Sequence, residues 1–211
     1  LPQLGREVLE VWDRENTFGR SITEREGAPA FIFYEGPPSA NGLPGIHHVL
    51  SRTIKDTICR YKTQQGYLVR RKAGWDTHGL PVELGVEKKL GITKEDIGHK
   101  ISIEEYNRTC REAVMEFTGV WEELTRKMGY WVDMKHPYIT YENKYIETLW
   151  WMLKQLFDKG LLYKGYTIQP YPPAAGTGLS NHELNQPGCY RDVKDTTCTA
   201  QFKVIRNDKS E

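Results

Sequence analysis

The chain has 211 residues, enough for one substantial domain or two small ones and too many for a miniprotein. Hydrophobic residues make up 38% of it and charged residues 27%, so it can build an apolar core and still stay soluble. Its 29 Lys and Arg against 28 Asp and Glu leave a formal charge of +1, which excludes a strongly basic, histone-like binder. A local basic face fits within that total, so a nucleic-acid partner stays open.

Cysteine spacing bears on metals and on the cell compartment. The cysteines are far apart and form no C-x-x-C pair: Cys59, Cys110, Cys189 and Cys198. We therefore predict no zinc signature and no disulfide framework, and we expect a reducing, cytoplasmic compartment. No apolar run approaches the roughly 20 residues that span a bilayer, so no membrane partner is expected. The missing initiator Met and the polar last residues indicate that both ends are cut.

The first elements predict a helix and then a βαβ unit. Helical spacing of apolar residues predicts a first helix through Leu4, Val8, Leu9 and Trp12. The apolar run 30–34 predicts a buried strand, and the Pro- and Gly-rich segment 35–45 predicts a rigid, shaped loop. A second helix, ending at Gly66, has one face formed by Leu50, Ile54, Ile58 and Tyr61. Residues 67–69 then predict a second strand.

Strand, helix and strand in this order imply a parallel pair with a right-handed crossover. Ligands of such sheets bind beyond the carboxyl ends of the strands. The unusual segments 35–48 and 74–81 both emerge at that edge, and we expect the functional site there.

The middle of the chain predicts two longer helices. One starts at a capping box in 102–105 and continues to Gly129, with one face formed by Tyr106, Cys110, Phe117, Trp121, Leu124 and Met128. The other stops at Gly160 and carries Tyr145, Ile146, Leu149, Trp150, Leu153, Leu156 and Phe157. We interpret both stripes as ordinary core. After Lys164 the composition changes to Pro, Gly, Thr and Asn with short β-prone segments. We therefore predict a first domain at 1–165 and a second region at 166–211.

Two short segments carry candidate chemistry. His47 and His48 lie at the start of the second helix, where free amides and the helix dipole attract phosphate. Asp76 lies in a Gly-rich turn at the same sheet edge, where a carboxylate could pair with an ammonium group, and Gly36 and Pro37 allow close backbone approach opposite it. The alternatives are that the histidines are partly exposed helix-start residues and that Asp76 caps its own backbone. Together the segments predict a pocket that suits ATP beside an amino acid.

These segments resemble one family. Residues 34–42 read Y-E-G-P-P-S-A-N-G, residues 45–48 read G-I-H-H, and residues 74–83 read G-W-D-T-H-G-L-P-V-E. They resemble the isoleucyl-tRNA synthetases, which are class I aminoacyl-tRNA synthetases, and the resemblance extends essentially from end to end. It implies an α/β fold: the first half of a Rossmann-type parallel nucleotide-binding domain with helical insertions, then the β-rich root of a connective (editing) insertion.

The resemblance also implies a reaction. Isoleucine would be activated with ATP to isoleucyl-adenylate and transferred to tRNA(Ile). Asp76 would hold the isoleucine ammonium group, with Gly36 and Pro37 lining the isoleucine pocket. His47 and His48 would be the catalytic residues that stabilise phosphate charge. The ATP-binding residues would be Gly45, Ile46, His47 and His48, which occupy the position of the family's H-I-G-H signature.

The chain departs from the family pattern at several points. Gly45 replaces the first His of the signature and His47 replaces its Gly, so we expect His47 to take over the phosphate contact while Gly45 supplies space. Residues 172–175 read P-P-A-A where many relatives have a zinc-binding C-x-x-C, so we predict no zinc. Mg²⁺ is expected to arrive with ATP.

The family's second signature, K-M-S-K-S, has no match in this chain. The isolated chain is therefore expected to be inactive or weakly active, and we predict no editing by it. The parent enzyme is expected to be a cytoplasmic monomer. Two alternatives remain open: another adenylyl-transferring enzyme with an H-x-G-H-like helix start, and a non-catalytic tRNA-binding module.

Overall fold

The computed structural model describes residues 2–173 and 176–203. The chain divides into two compact units, of which the first ends at Leu161 and the second begins at Leu162. The helices of the first unit are α1 (Pro2–Arg14), α2 (Thr17–Thr23), α3 (Ile46–Gln64), α4 (Leu80–Leu90), α5 (Ile103–Val114), α6 (Thr118–Lys127) and α7 (Asn143–Asp158), with a 3₁₀ turn at Lys94–Asp96. Its strands are β1 (Lys72–Trp75) and β2 (Asp133–Ile139).

The two strands form a small parallel sheet. Lys72 pairs with Asp133 and Trp75 pairs with Ile139, with an irregular register between these two points. Helices α4 to α6 lie between the two strands in the chain, so the connection is a crossover rather than a hairpin. Mixed helices and parallel strands in an open sheet make this a partial, Rossmann-like α/β fold.

The strands predicted at 30–34 and 67–69 are wrong. These segments meet in a single bridge between Ala30 and Leu68, which is parallel as the βαβ pattern implied. Ile32 is 67% exposed and Tyr34 is 88% exposed. A ladder extends only where both segments stay side by side, and here the backbones pair at one point alone. The predicted loop at 35–45 is confirmed, since it contains neither helix nor strand.

The first helix and α3 are confirmed, and Gly66 has the positive φ of 91° expected after a helix end. The apolar face predicted for α3 is solvent-exposed at each of its four positions, Leu50, Ile54, Ile58 and Tyr61. The residues that α3 buries are Arg52, Cys59 and Thr63. Polar contacts therefore determine which face of α3 is buried, and hydrophobic periodicity does not detect such contacts.

The single helix predicted to run to Gly129 is wrong, because the chain breaks between α5 and α6. Phe117, at the break, donates its backbone N–H to the carbonyl of Ala40 at 3.0 Å. This contact with a distant loop replaces a helical hydrogen bond. At the start of α5, the Ser102 hydroxyl accepts from the Glu105 N–H as predicted.

The core interpretation of the α7 stripe is also wrong. No residue of α7 is buried in the described structure, and Trp150 is 71% exposed. The stripe predicts the helix correctly, because helical spacing is a local property. It does not specify which surface covers the helix.

The core that supports the loop is small. Ala40, Trp75 and Trp121 form one buried cluster. A second contains Ala73, Tyr130 and Val132. Since Ala73 and Trp75 both belong to β1, this strand joins the two clusters.

A polar cluster on the carboxylate of Asp56 fastens α3 to the segment before β2. Asp56 accepts from Arg60 Nε at 2.6 Å, from Arg71 Nη1 at 3.0 Å and from the Trp131 N–H at 3.3 Å. The side chain of Arg71 is only 1% exposed, and Arg60 lies 3.9 Å from the centre of the Trp131 ring. Charge, hydrogen bonding and ring stacking thus act at the same place.

The second unit contains the short helix α8 (Asn181–Leu184), capped by the hydroxyl of Ser180. The β-rich root predicted here is wrong for the described residues of this unit, 162–173 and 176–203, which form no strand. Most of these residues are exposed, and the backbone contact between Leu179 N–H and the Pro170 carbonyl does not extend into a ladder. The domain boundary at 165/166 stays a prediction. Among the helices described, none combines the length and apolar character that crossing a membrane requires.

Replacing Asp56 should destabilise the fold strongly. In Asp56→Asn the guanidinium of buried Arg71 loses its charged partner, and breaking a buried pair from one side costs about 3–5 kcal/mol. Urea denaturation measures the change in the free energy of unfolding. Asp158→Asn is the matched control, because its ion pair with Lys154 is exposed and worth about 0.3–0.5 kcal/mol. Equal losses in the two variants would contradict a structural role for Asp56.

Candidate active site

The candidate site is built on the loop at 35–45, whose first residue is held from several sides. The Glu35 side chain is 4% exposed. Its carboxylate accepts from Lys55 Nζ at 2.6 Å and from the Tyr130 hydroxyl at 2.5 Å. The Tyr138 hydroxyl donates to the Glu35 backbone carbonyl at 2.7 Å. Residues from α3, from the segment before β2, and from β2 itself therefore converge on Glu35.

A second part of the candidate site, which contains Asp76, lies where β1 stops. Asp76 directly follows β1, and its N–H donates to the Pro38 carbonyl at 2.9 Å. The next residue, Thr77, is buried and bonded through its hydroxyl to Thr140 at 2.7 Å. The structure thus brings Asp76 beside the loop that contains Gly36 and Pro37. The sequence reasoning expected this juxtaposition.

Pro37 also lines a cavity of about 800 Å³ whose walls include aromatic rings. Tyr138 and Tyr145 both line it, with ring planes 8° apart and centroids 5.7 Å apart. Burial, together with the nearby Glu35, Tyr145 and Asp76, raises the pKa of Tyr138 to about 12. At neutral pH the Tyr138 hydroxyl is protonated and can donate to the Glu35 carbonyl.

A third part of the candidate site, which contains His47 and His48, lies at the start of α3. The Gly45 N–H donates to His48 Nδ1 at 2.9 Å. The rings of His47 and His48 have centroids 3.8 Å apart, and the His48 ring meets Trp121 edge-on at 4.7 Å. Because Nδ1 accepts a hydrogen bond, a neutral His48 carries its proton on Nε2.

Gly45 and His47 compete for the same space. A Cβ on Gly45 would lie 2.8 Å from Cε1 and 2.9 Å from Nδ1 of His47. The His47 ring therefore occupies the volume that any side chain at position 45 would need. The lack of a side chain at Gly45 thus accommodates the His47 ring, while the space that we expect Gly45 to supply for the nucleotide stays a prediction.

The second and third parts of the site share a core. Trp75 precedes Asp76, Trp121 contacts His48, and both tryptophans belong to the buried cluster with Ala40. Trp121 Nε1 also donates to the Gly42 carbonyl at 2.9 Å, which fixes the far part of the loop. A single packed cluster therefore supports both segments.

Sequence reasoning missed the residues that hold the loop, namely Glu35, Lys55, Trp121, Tyr130 and Tyr138, and it missed Arg52, which packs against two of them. Arg52 is 6% exposed, donates to the Thr125 hydroxyl and lies 5.0 Å from the Trp121 ring centre. Burial lowers the pKa of the Arg52 guanidinium, and the Glu35 carboxylate opposes that shift. The available signal was a charged residue, Glu35, at the end of an apolar run.

The described structure contains no candidate cluster of metal ligands. Within 2–173 and 176–203, no three His, Cys, Asp or Glu side chains are grouped to hold an ion. The P-P-A-A segment on which the zinc prediction rests includes Ala174 and Ala175, which lie outside the described residues. The absence of zinc stays a prediction.

With this geometry in hand, comparison with known proteins identifies the class. The family model of the class I tRNA synthetases (I, L, M and V) matches residues 7–208, so the chain belongs to that family. An isoleucine–tRNA ligase of Bacteroides fragilis is 73% identical over 211 residues, which are 100% of this chain and 18% of the relative. One of Porphyromonas gingivalis is 74% identical over 205 residues, 97% of this chain and 18% of the relative.

A solved structure supports the fold. A crystal structure of the LeuRS–tRNA–LeuAMS ternary complex of Agrobacterium radiobacter K84 matches with a TM-score of 0.56. The match covers 85% of this chain and 20% of that one at 20% identity, so it bears on the fold alone. The chain spans less than a fifth of the length of the two relatives named above.

His48 should titrate below the ordinary histidine value of 6.5. Burial lowers its pKa most, followed by the neighbouring His47 and Arg52. The folded state then binds this proton less readily than the unfolded state, so the free energy of unfolding should fall as the pH drops through 6.5. NMR titration of the imidazole measures the midpoint.

The variant His47→Ala should raise the His48 pKa towards 6.5 without reaching it, because burial remains. His136→Ala is the control, since His136 pairs with Asp133 on the exposed surface. A His48 midpoint at or above 6.5 in the unaltered protein would contradict the described environment.

Proposed function

We propose that this chain is part of an isoleucine–tRNA ligase, which activates isoleucine with ATP and transfers it to tRNA(Ile). The hydrogen bond from the Asp76 N–H to the Pro38 carbonyl is the observation that carries the proposal. It joins the loop that contains Gly36 and Pro37 to the segment that contains Asp76, and the proposed amino-acid pocket requires both. The names of the relatives, isoleucine–tRNA ligases at 73% and 74% identity, support isoleucine as the substrate.

In the amino-acid half, the Asp76 carboxylate binds the ammonium group of isoleucine. Gly36 and Pro37 line the pocket for its side chain. A charged hydrogen bond of this kind is worth about 1.5–3 kcal/mol. The position of Asp76 directly after a parallel strand supports the assignment, because ligands of such sheets bind at that edge.

In the nucleotide half, ATP binds at the start of α3. The backbone at Gly45 and Ile46 faces the nucleotide, and His47 and His48 donate hydrogen bonds to its phosphates. The half-buried His48, neutral and protonated on Nε2, suits this role, as does the exposed position of His47. A helix N-terminus adds favourable electrostatics for phosphate.

The reaction then follows from the positions of the two substrates. A carboxylate oxygen of isoleucine attacks the α-phosphorus of ATP, the bond to the bridging oxygen breaks, and pyrophosphate leaves. Positioning and stabilisation of phosphate charge drive such a step, with no covalent enzyme intermediate. Mg²⁺ enters with ATP as part of the substrate, and we assign none of the described residues to it.

We place the ligase in the cytoplasm as a monomer, with tRNA(Ile) as its macromolecular partner. The exposed free thiols of Cys189 and Cys198 support a reducing compartment. A non-catalytic tRNA-binding module would bind tRNA without responding to isoleucine or ATP. Isoleucine-dependent ATP–pyrophosphate exchange by the full-length protein distinguishes the ligase from such a module.

Replacing Asp76 should impair the use of isoleucine. In the full-length ligase, Asp76→Ala should lower kcat/KM for isoleucine at least about tenfold, because one lost charged contact exceeds about 1.4 kcal/mol. Isoleucine-dependent ATP–pyrophosphate exchange is the assay. Asp158→Ala, which removes an exposed carboxylate, is the control. Unchanged exchange in Asp76→Ala would remove Asp76 from the site.

The competition between Gly45 and His47 should appear in ATP binding. Gly45→Ala should raise the KM for ATP about threefold to tenfold, because its Cβ displaces the His47 ring and weakens a charged hydrogen bond. The double variant Gly45→His with His47→Gly, which restores the order H-I-G-H, should recover most of the affinity for ATP.

The single variants Gly45→His and His47→Gly form a double-mutant cycle with the double variant. Residues in contact should couple by about 0.5–3 kcal/mol in such a cycle. The KM for ATP in the exchange assay is measured for each. Strict additivity would show that positions 45 and 47 act independently, contrary to the proposed exchange of roles.

A further inference from the structure

We infer that Glu35 is a positioning residue for the amino-acid end of the site. It acts through the backbone of Gly36 and Pro37 and does not itself touch the substrate. The inference rests on the proposed function, because it assigns the two residues to the isoleucine pocket.

The Glu35 carboxylate is the first anchor. One oxygen accepts from Lys55 Nζ at 2.6 Å and the other accepts from the Tyr130 hydroxyl at 2.5 Å. With 4% of the side chain exposed, both oxygens are engaged by the protein and turned away from solvent. Such a carboxylate is suited to holding a structure in place rather than to binding a ligand.

The Glu35 carbonyl is held separately. It accepts from the Tyr138 hydroxyl at 2.7 Å, and the Tyr138 ring is stacked on Tyr145. A fixed ring with a fixed hydroxyl restricts the rotation of the peptide between Glu35 and Gly36. The side chain and the backbone of Glu35 are thus held by different elements.

Gly36 and Pro37 are held on their other side at Pro38, whose carbonyl accepts from the Asp76 N–H at 2.9 Å. Between these two ends, the contact to Gly36 is a long one, from Lys55 Nζ to its carbonyl at 3.5 Å. Gly36 and Pro37 therefore span two firm anchors while remaining accessible to a ligand. Their distance from the Asp76 carboxylate depends on Glu35.

The nucleotide end shares the cluster of Ala40, Trp75 and Trp121 but also has supports that do not involve Glu35. His48 lies against Trp121, and α3 is fastened through Asp56 to Arg71. Loss of the Glu35 contacts should release the start of the loop and leave α3 in place. A defect in Glu35 should accordingly weaken isoleucine use and spare ATP use.

The test is Glu35→Gln in the full-length ligase, assayed by ATP–pyrophosphate exchange. The KM for isoleucine should rise about tenfold, the scale of one lost charged hydrogen bond, while the KM for ATP changes less than about twofold. Glu123→Gln is the matched control. Its carboxylate pairs with Lys127 at the same 2.6 Å, but on the exposed surface, so both KM values should stay unchanged.

A second variant guards against a folding defect at the buried carboxylate. Tyr138→Phe keeps the ring and removes only the hydroxyl that donates to the Glu35 carbonyl. It should raise the KM for isoleucine about threefold, as expected for one neutral hydrogen bond, with the KM for ATP unchanged. Glu35→Asp, which keeps the charge, should restore part of the loss seen in Glu35→Gln.

The outcomes separate the two hypotheses. An unaltered ligase without isoleucine-dependent exchange would overturn the proposed function and this inference with it. An active ligase in which Glu35→Gln and Tyr138→Phe behave like Glu123→Gln would overturn the inference alone. Equal rises in both KM values would also overturn it, because they indicate a general structural defect. If Glu35→Gln does not fold, Tyr138→Phe decides.

Discussion

The ion pair between the buried Glu35 carboxylate and the half-buried Lys55 is the contact that holds the start of the loop at the candidate site. Burying a carboxylate without partners costs several kcal/mol, so the chain segments that satisfy it must converge on it. Lys55 comes from α3 and Tyr130 from the turn before β2. The requirement to pair one carboxylate therefore brings together the loop, the helix and the strand that form the site.

That arrangement needs α3 to be a fixed reference, and the Asp56 cluster provides it. Arg60 and Arg71 both pair with Asp56, and Arg60 packs on the Trp131 ring. Glycine completes the fit at one point, because a Cβ on Gly74 would overlap the Tyr138 ring that supports the Glu35 carbonyl. Gly74 belongs to a segment that resembles the family, and the packing of Tyr138 against β1 gives a separate reason for a glycine there.

The parts of the site that sequence could predict are local. The loop at 35–45, the histidines at a helix start and Asp76 at a strand end all follow from residues near one another in the chain. The bonds from Tyr130 and Tyr138 to Glu35 join residues distant in sequence, so no spacing pattern indicates them. The strand predicted at 30–34 failed for a related reason, since a strand requires a partner that its own sequence does not specify.

Helix α3 shows most directly why hydrophobic periodicity is insufficient. The apolar face formed by Leu50, Ile54, Ile58 and Tyr61 is exposed, while Arg52, Cys59 and Thr63, whose spacing puts them on one face, are buried. Arg52 reaches Thr125 and the Trp121 ring, and Thr63 accepts from Arg71. Within the described residues, paired polar groups therefore determine which face of α3 is buried. Since His47 and His48 stand on the first turn of α3, the same polar face orients the imidazoles that we propose as phosphate-binding groups.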